Sequence, residues 1–125
     1  MELKWDYVGV VSADLARSVE FYRLVGIPLP DADDDHVEVE LANGMRFALD
    51  SVELMKSIGH WEDPVGHRMG IAINADTPAG VDGAYHAILG AGFEGKTEPF
   101  DAFWGQRYAQ VLDPDGNPVD IYAAL

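Results

Sequence analysis

The sequence predicts an α+β fold built from two βαβββ modules. Runs of alternating polar and apolar residues are typical of strands with one buried face, and an amphipathic helical stripe follows a run of this kind in each half of the chain. The same order of elements occurs in both halves, which indicates an internal duplication. We expect one domain over residues 1–125, with modules at about 1–50 and 67–125 and a connector at 51–66 carrying a turn or two of helix.

The first module opens with a strand and a helix. Residues 3–12 alternate loosely and predict a strand. Asp14 stands where an N-cap residue belongs, and the apolar stripe that follows can end at Gly26. A short strand is expected at 27–29, and the aspartate-rich segment 31–35 predicts a solvated loop.

A hairpin completes the first module. Residues 36–41 alternate cleanly, Asn43-Gly44 is a hairpin turn signal, and residues 45–50 return along the first strand. Period-two alternation places the polar side chains of both strands on one face. These residues are His36, Glu38, Glu40, Arg46 and Asp50.

The second module follows the same plan. Residues 67–74 are strand-like, and Thr77-Pro78 opens a helix that the glycines at 90 and 92 can close. The segment 103–122 then predicts a hairpin, because two alternating runs flank the turn-forming residues 113–117, D-P-D-G-N. The face opposite the apolar one carries Gln106, Tyr108, Gln110, Asp120 and Tyr122.

Matching intervals support the duplication. Tyr7 to Asp14 has the spacing of Met69 to Asp76, and Gly44 to Ala48 has that of Gly116 to Asp120. Each sheet is expected to bury its apolar face under a helix and to turn the other face into a cup. Two such cups, joined within a chain or across a homodimer, would enclose a pocket.

Composition excludes several classes of function. Eight Lys and Arg against 22 Asp and Glu give a net charge of −14, which repels nucleic acid. There is no cysteine, so no disulfide, thiolate ligand or thiol nucleophile can form. No apolar run approaches the roughly 20 residues of a membrane helix, and the first residues lack a signal-peptide pattern. We therefore expect a cytoplasmic protein without nucleic-acid or membrane partners.

The strand, D-P-D-G-N turn and acidic strand of the last hairpin resemble the C-terminal motif of the vicinal oxygen chelate superfamily of glyoxalases, extradiol dioxygenases and antibiotic-binding resistance proteins. The resemblance implies that metal-dependent members hold their ion at positions corresponding to Tyr7, Ala48, Met69 and Asp120. Only Asp120 is a good ligand for Zn²⁺, Fe²⁺ or Mn²⁺. His67 could join it only in an improvised site, so we expect neither metal nor cofactor.

Most of the chain is similar to the mitomycin- and bleomycin-binding resistance proteins of that superfamily, notably in SVEFYRLVGI, NGMRFALDSVE, GHRMGIAI and FWGQRYAQVLDPDGNPVDIYA. The resemblance implies that a drug's ring system is held between His36 and Trp104, without catalytic metal, in a strand-exchanged homodimer. The expected ligand-binding residues are His36, Trp104, Tyr7, Tyr108, Tyr122, Glu38, Glu40, Gln106 and Asp120.

The predicted function is metal-independent binding and sequestration of an aromatic or cationic small molecule, in resistance to a mitomycin- or bleomycin-like antibiotic. No catalytic residue is assigned. The alternative is an enzyme, either a metal-dependent lyase or dioxygenase or an acid/base catalyst using Glu38, Glu40 or Asp120. A carrier of a biosynthetic intermediate is a third hypothesis, and the sequence leaves the identity of the ligand open.

Overall fold

The computed structural model describes residues 2–66 and 68–125. It has the α+β class that the sequence predicts, with helices and two mixed sheets. The chain divides into two compact units, Met1–Arg23 with Ile27–Asp63 and Leu24–Gly26 with Pro64–Leu125. None of the helices within the described residues combines the length and the hydropathy that a membrane span requires.

The first unit contains a three-stranded sheet of order β1-β3-β2, in which β1 runs parallel and β2 antiparallel to β3. Helix α1 connects β1 to β2, and a short helix α2 follows β3 and confirms the helical turns expected in the connector. The elements are β1 (Tyr7–Ser12), α1 (Leu15–Leu24), β2 (His36–Glu40), β3 (Arg46–Ser51) and α2 (Val52–Ser57).

Helix α1 covers the apolar face of this sheet. Asp14 caps the helix as predicted, because its Oδ1 accepts a hydrogen bond of 3.1 Å from the Arg17 backbone N–H. The fully buried Tyr22 packs against Phe47 of β3, with ring centroids 4.9 Å apart. The opposite face of the sheet is therefore left for polar residues.

The second unit contains a four-stranded sheet of order β4-β7-β6-β5. Its elements follow the predicted βαβββ plan, with β4 parallel to β7 and the other neighbours antiparallel. They are β4 (Ile71–Asn74), α3 (Pro78–Gly90), β5 (Glu94–Ala102), β6 (Gln106–Leu112) and β7 (Pro118–Ala124). Thr77 caps α3 and Pro78 occupies its first turn, which confirms the predicted start of the helix.

The D-P-D-G-N turn joins β6 to β7 as predicted. The buried Asp113 carboxylate accepts hydrogen bonds from the backbone N–H groups of Asp115 and Asn117, at 2.9 and 2.8 Å. Gly116 takes the positive φ of 85° that the turn requires. The turn fixes the register in which Gln110 lies opposite Asp120.

The short strand expected at 27–29 is wrong, and the first unit has three strands rather than four within its described residues. Ile27 and Leu29 are buried in an irregular segment. Pro28 and Pro30 have no backbone N–H to donate to a neighbouring strand, so alternating burial here does not produce a ladder. The first strand also begins at Tyr7 rather than at residue 3.

The expected alignment of the two modules is wrong by one residue. Gly9 pairs with Ala48 in the first sheet, whereas Ala72 pairs with Asp120 in the second. The helix caps agree with this shift, because Thr77 and not Asp76 caps α3. Asp76 has a positive φ of 70° and bends the chain just before the cap.

Two glycines of α3 provide a matched test of its packing. A Cβ on Gly80 would lie 2.4 Å from the Ala75 carbonyl oxygen, whereas a Cβ on Gly83 would have nothing within 4 Å. We expect Gly80→Ala to lower the free energy of unfolding by about 1 to 3 kcal/mol through overpacking. Gly83→Ala should raise it by roughly 0.5 to 1 kcal/mol, because alanine is the better helix former. Urea denaturation measures both, and equal effects would contradict this packing.

Candidate functional site

The polar face of the first sheet gathers the residues predicted for it. His36 lies opposite Asp50 in the strand pairing, Glu38 opposite Ala48, and Glu40 opposite Arg46. Tyr7 of β1 also pairs with Arg46. These residues share one face because each strand alternates with a period of two.

His36 is held between two carboxylates. Its Nδ1 lies 2.5 Å from Oδ1 of Asp50, and its Nε2 lies 2.9 Å from Oε1 of Glu38. The hydrogen bond with Asp50, followed by that with Glu38, raises the pKa of His36 above its ordinary value. The same contact with His36 holds the pKa of Glu38 below its usual range.

Arg46 continues this chain of charges and stacks on an aromatic ring. Its Nη1 lies 3.4 Å from Oε2 of Glu38, and its guanidinium carbon lies 5.0 Å from the centroid of the Tyr7 ring. Burial is the main cause that raises the pKa of the Tyr7 phenol, and the negative charges of Asp50 and Glu38 add to it. Glu40 is exposed at the end of β2.

The second unit carries a cluster of aromatic rings around Trp104, which we call the aromatic cluster: Phe100, Phe103, Trp104 and Tyr108. The Trp104 ring meets the other three nearly at right angles, with centroids 5.1 to 6.1 Å apart. The indole N–H donates a hydrogen bond of 2.8 Å to Oε1 of Gln106. Trp104 is nevertheless 48% exposed.

A polar network lies beside the aromatic cluster. Asp120 accepts a hydrogen bond of 2.9 Å from the Gln110 side-chain amide. Burial and the Asp120 carboxylate together raise the pKa of Tyr108 to about 12. Tyr122 lies opposite Tyr108 on β7. None of the ion pairs found among the described residues involves Asp120.

A family model matches most of the chain. The model of the Glyoxalase/Bleomycin resistance protein/Dioxygenase superfamily matches residues 4–121. The chain belongs to this superfamily.

Solved structures of superfamily members share the fold. A glyoxalase/bleomycin resistance protein/dioxygenase family enzyme from Burkholderia phytofirmans is 17% identical, with a TM-score of 0.82 and coverage of 96% of this chain and 98% of that one. A glyoxalase/bleomycin resistance protein/dioxygenase from Nocardioides is 25% identical over 100% of this chain and 85% of that one, with a TM-score of 0.76. A glyoxalase-related enzyme from Fulvimarina pelagi is 20% identical over 96% and 87%, with a TM-score of 0.82. Among curated proteins, none matches the chain.

The positions that metal-dependent superfamily members use do not fit a metal ion here. Ala48 offers no donor, and the Asp120 carboxylate already accepts a hydrogen bond from Gln110. Met69 lies before β4, is 81% exposed, and by the corrected alignment is not the equivalent of Tyr7. That equivalent is Gly70, which has no side chain.

His67, the one histidine considered for an improvised site, lies outside the described residues. Within residues 2–66 and 68–125, no group of three or more His, Asp and Glu side chains is arranged to hold a metal. The donor set of the described residues therefore gives no support to a step through a metal ion.

The two units divide the predicted ligand-binding residues between them. The first unit carries Tyr7, His36, Glu38 and Glu40, and the second carries Trp104, Gln106, Tyr108, Asp120 and Tyr122. Sequence reasoning placed Asp50 on the same face as Arg46 but did not assign it to the site, although a hairpin centred on Asn43-Gly44 already pairs it with His36. It also missed Phe100, because β5 had no assigned position before the structure showed its pairing with Tyr108.

The Tyr108 hydroxyl offers a direct test of the polar network. We expect Asp120→Asn to lower the pKa of Tyr108 from about 12, because the charge that favours the protonated phenol is removed. Because the Tyr108 side chain stays partly buried in this variant, the pKa of its phenol should remain above that of a free tyrosine. Absorbance of the tyrosinate band against pH measures this, with Tyr108→Phe identifying the contribution of this residue. An unchanged curve in Asp120→Asn would show that the two side chains do not interact.

Proposed function

We propose that this superfamily member binds a flat aromatic small molecule and sequesters it, without a metal and without chemical change. Mitomycin-like or bleomycin-like antibiotics are the expected ligands, and resistance is the expected benefit. The observation that carries the proposal is the half-exposed Trp104 ring, which three neighbouring rings hold in place.

The proposal includes a cytoplasmic, strand-exchanged homodimer, which light scattering and cysteine cross-linking of engineered pairs can test.

The aromatic cluster suits stacking because its polar atoms are already satisfied. The indole N–H of Trp104 is bonded to Gln106, so a flat ring can cover the indole without stripping water from an unpaired donor. The edge-to-face neighbours limit the rotamers of the indole, so little conformational freedom is lost on binding. A stacked ring gains about 0.5 to 1.5 kcal/mol beyond the area that it buries.

Asp120 favours a ligand that also carries a positive charge. The Gln110 amide that donates a hydrogen bond to the Asp120 carboxylate is a neutral group. A protonated amine near Asp120 would supply the missing countercharge and would lie next to aromatic rings, which also attract cations. The net charge of −14 adds a long-range attraction for cations.

The alternative function is an enzyme. The relatives from Burkholderia phytofirmans and Fulvimarina pelagi are described as enzymes, and the Asp120–Tyr108 pair could in principle move a proton. The carboxylate nonetheless already accepts a hydrogen bond from Gln110, and the positions used for a metal in other members do not supply a ligand set. Binding that needs Zn²⁺, Fe²⁺ or Mn²⁺ would favour the enzyme over the binding protein.

Titration calorimetry in EDTA tests the proposed function. The ligands are mitomycin C, a bleomycin, acridine and 9-aminoacridine; at neutral pH acridine is uncharged and 9-aminoacridine is a cation. We expect saturable binding of at least one flat compound, and a loss of about 1 to 3 kcal/mol in Trp104→Ala. Calorimetry is needed because tryptophan fluorescence would lose its reporter in that variant.

Two further variants make the result specific. Trp61→Ala removes another tryptophan, in the connector after α2, and should leave affinity unchanged. Asp120→Asn should weaken 9-aminoacridine more than acridine, because only the cation loses a countercharge. The proposed function would be refuted by unchanged affinity in Trp104→Ala, or by binding that appears only when Zn²⁺, Fe²⁺ or Mn²⁺ replaces EDTA.

The aspartate loop should accelerate the arrival of a cation. Asp33 and Asp34 are exposed, whereas Asp35 accepts a hydrogen bond of 2.8 Å from the Ser51 hydroxyl and is best left intact. We expect Asp33→Asn with Asp34→Asn to slow association of 9-aminoacridine by roughly twofold at low ionic strength, with little effect in high salt. Stopped-flow fluorescence measures the rate, with neutral acridine as control. An unchanged rate at low salt would leave the loop without this role.

A further inference from the structure

Four residues form a row across the second sheet, at right angles to its strands. The strand pairing places Asp120 of β7 between Ala72 of β4 and Gln110 of β6. Gln110 in turn lies opposite Thr97 of β5. Since α3 packs on the face that carries the buried alternate residues of β6 and β7, the row lies on the face away from this helix. We call these four residues the transverse row.

The hydrogen bonds of the transverse row run towards Asp120. An ionised carboxylate can only accept, so the part of the Gln110 amide that lies 2.9 Å from Oδ1 of Asp120 is the N–H group. The amide oxygen therefore faces the Thr97 hydroxyl, which donates a hydrogen bond of 2.9 Å to it. A flipped amide would set its oxygen against the negative carboxylate. Thr97 and Gln110 together thus hold one oxygen of Asp120 from the β6 side.

An irregularity in β5 brings Thr97 into the transverse row. From Gly95 to Thr97, β5 advances by two residues while β6 advances by only one, and a second extra residue follows Thr97. Without the first extra residue, Lys96 would lie opposite Gln110. The bulge thus places a neutral hydroxyl at this position and leaves the row without a positive charge of its own.

Ala72 leaves the other side of the Asp120 carboxylate without a polar side chain on β4. Its side chain is a methyl group, and the residue is exposed. A positively charged group of a ligand can therefore approach the carboxylate over Ala72 without displacing a basic side chain of the sheet. A primary ammonium suits this space, because it is compact and donates hydrogen bonds to a carboxylate.

We propose that the space over Ala72 receives a primary ammonium group of the ligand, which donates hydrogen bonds to Asp120, and that Thr97 and Gln110 are positioning residues that hold this carboxylate. The inference rests on the proposed function and gives it a chemical class, a flat aromatic ring that carries a primary amine on a short arm.

The spacing of residues along the strands sets the length of the arm. The next pair on the same face of β6 and β7 is Tyr108 and Tyr122, about 7 Å from the transverse row. Tyr108 belongs to the aromatic cluster, with its ring centroid 5.2 Å from that of Trp104. A flat ring that lies on this cluster can thus reach Asp120 through an arm of about one or two carbon atoms.

Calorimetry in EDTA compares 2-naphthylmethylamine, a primary ammonium ion at neutral pH, with 2-naphthylmethanol, its neutral counterpart. The measured quantity is the ratio of their affinities, because damage to the fold weakens the binding of both compounds. Thr97→Val removes the hydroxyl and keeps the shape of the side chain, whereas Thr97→Ser keeps the hydroxyl. Ala72→Leu fills the space beside Asp120. Its control is Ala87→Leu, since Ala87 is also an exposed alanine of this unit but lies on α3.

In the wild type we expect the amine to bind at least about fivefold more tightly than the alcohol. Thr97→Val and Ala72→Leu should each lower this ratio by roughly threefold or more, whereas Thr97→Ser and Ala87→Leu should keep it. In an Asp120→Asn background, Thr97→Val should change the ratio no further, because Thr97 acts through that carboxylate. Gln110→Met breaks the same hydrogen bonds and takes the place of Thr97→Val if that variant does not fold.

The inference is overturned if the wild type does not prefer the amine, or if Thr97→Val or Ala72→Leu keeps the wild-type ratio. It is also overturned if neither naphthyl compound binds whereas acridine does. In each of these cases the proposed function stands. If no flat compound binds, both fall.

Discussion

The packing of a single helix against one face of each sheet is the interaction on which the structure depends. In the second unit α3 packs on β6 and β7, whose buried residues include Val111, Val119 and Ile121. Because side chains alternate along a strand, this burial also directs Gln110 and Asp120 to the other face. The positions of the functional side chains thus follow from the hydrophobic packing, which fixes the register that brings Gln110 opposite Asp120.

Much of this could be predicted from the sequence, because alternation, helix caps and turn residues act over a few neighbouring residues. The faces of the hairpins, the caps at Asp14 and Thr77 and the turn at 113–117 are of this kind. The errors arose where local patterns were ambiguous. The alternating burial of Ile27 and Leu29, next to two prolines, resembles the pattern of a strand. The positive φ of Asp76 shifts the alignment of the second module with the first by one residue.

The site was harder to predict than the fold, because its contacts join strands rather than neighbours in sequence. His36 was found as a candidate from its position at the start of a strand, but its contact with the Asp50 carboxylate follows from the pairing with β3. Trp104 was found in its turn, but its orientation follows from Phe100 on β5 and Tyr108 on β6. In both cases the sequence identifies the ring, and the strand pairing supplies the neighbours that determine what the ring can do.

Two small residues of the first sheet, Gly9 and Ala48, leave space for an aromatic ring. Ala48 occupies a position that metal-dependent members give to a ligand, and it pairs with Gly9 across β1 and β3. A side chain on Gly9 would meet the Tyr7 ring, 3.0 Å from its Cε1 atom, so the ring lies over this pair of small residues. Arg46 then stacks on the ring. The small residues of this pair therefore leave room for the Tyr7 ring, over which the Arg46 guanidinium lies.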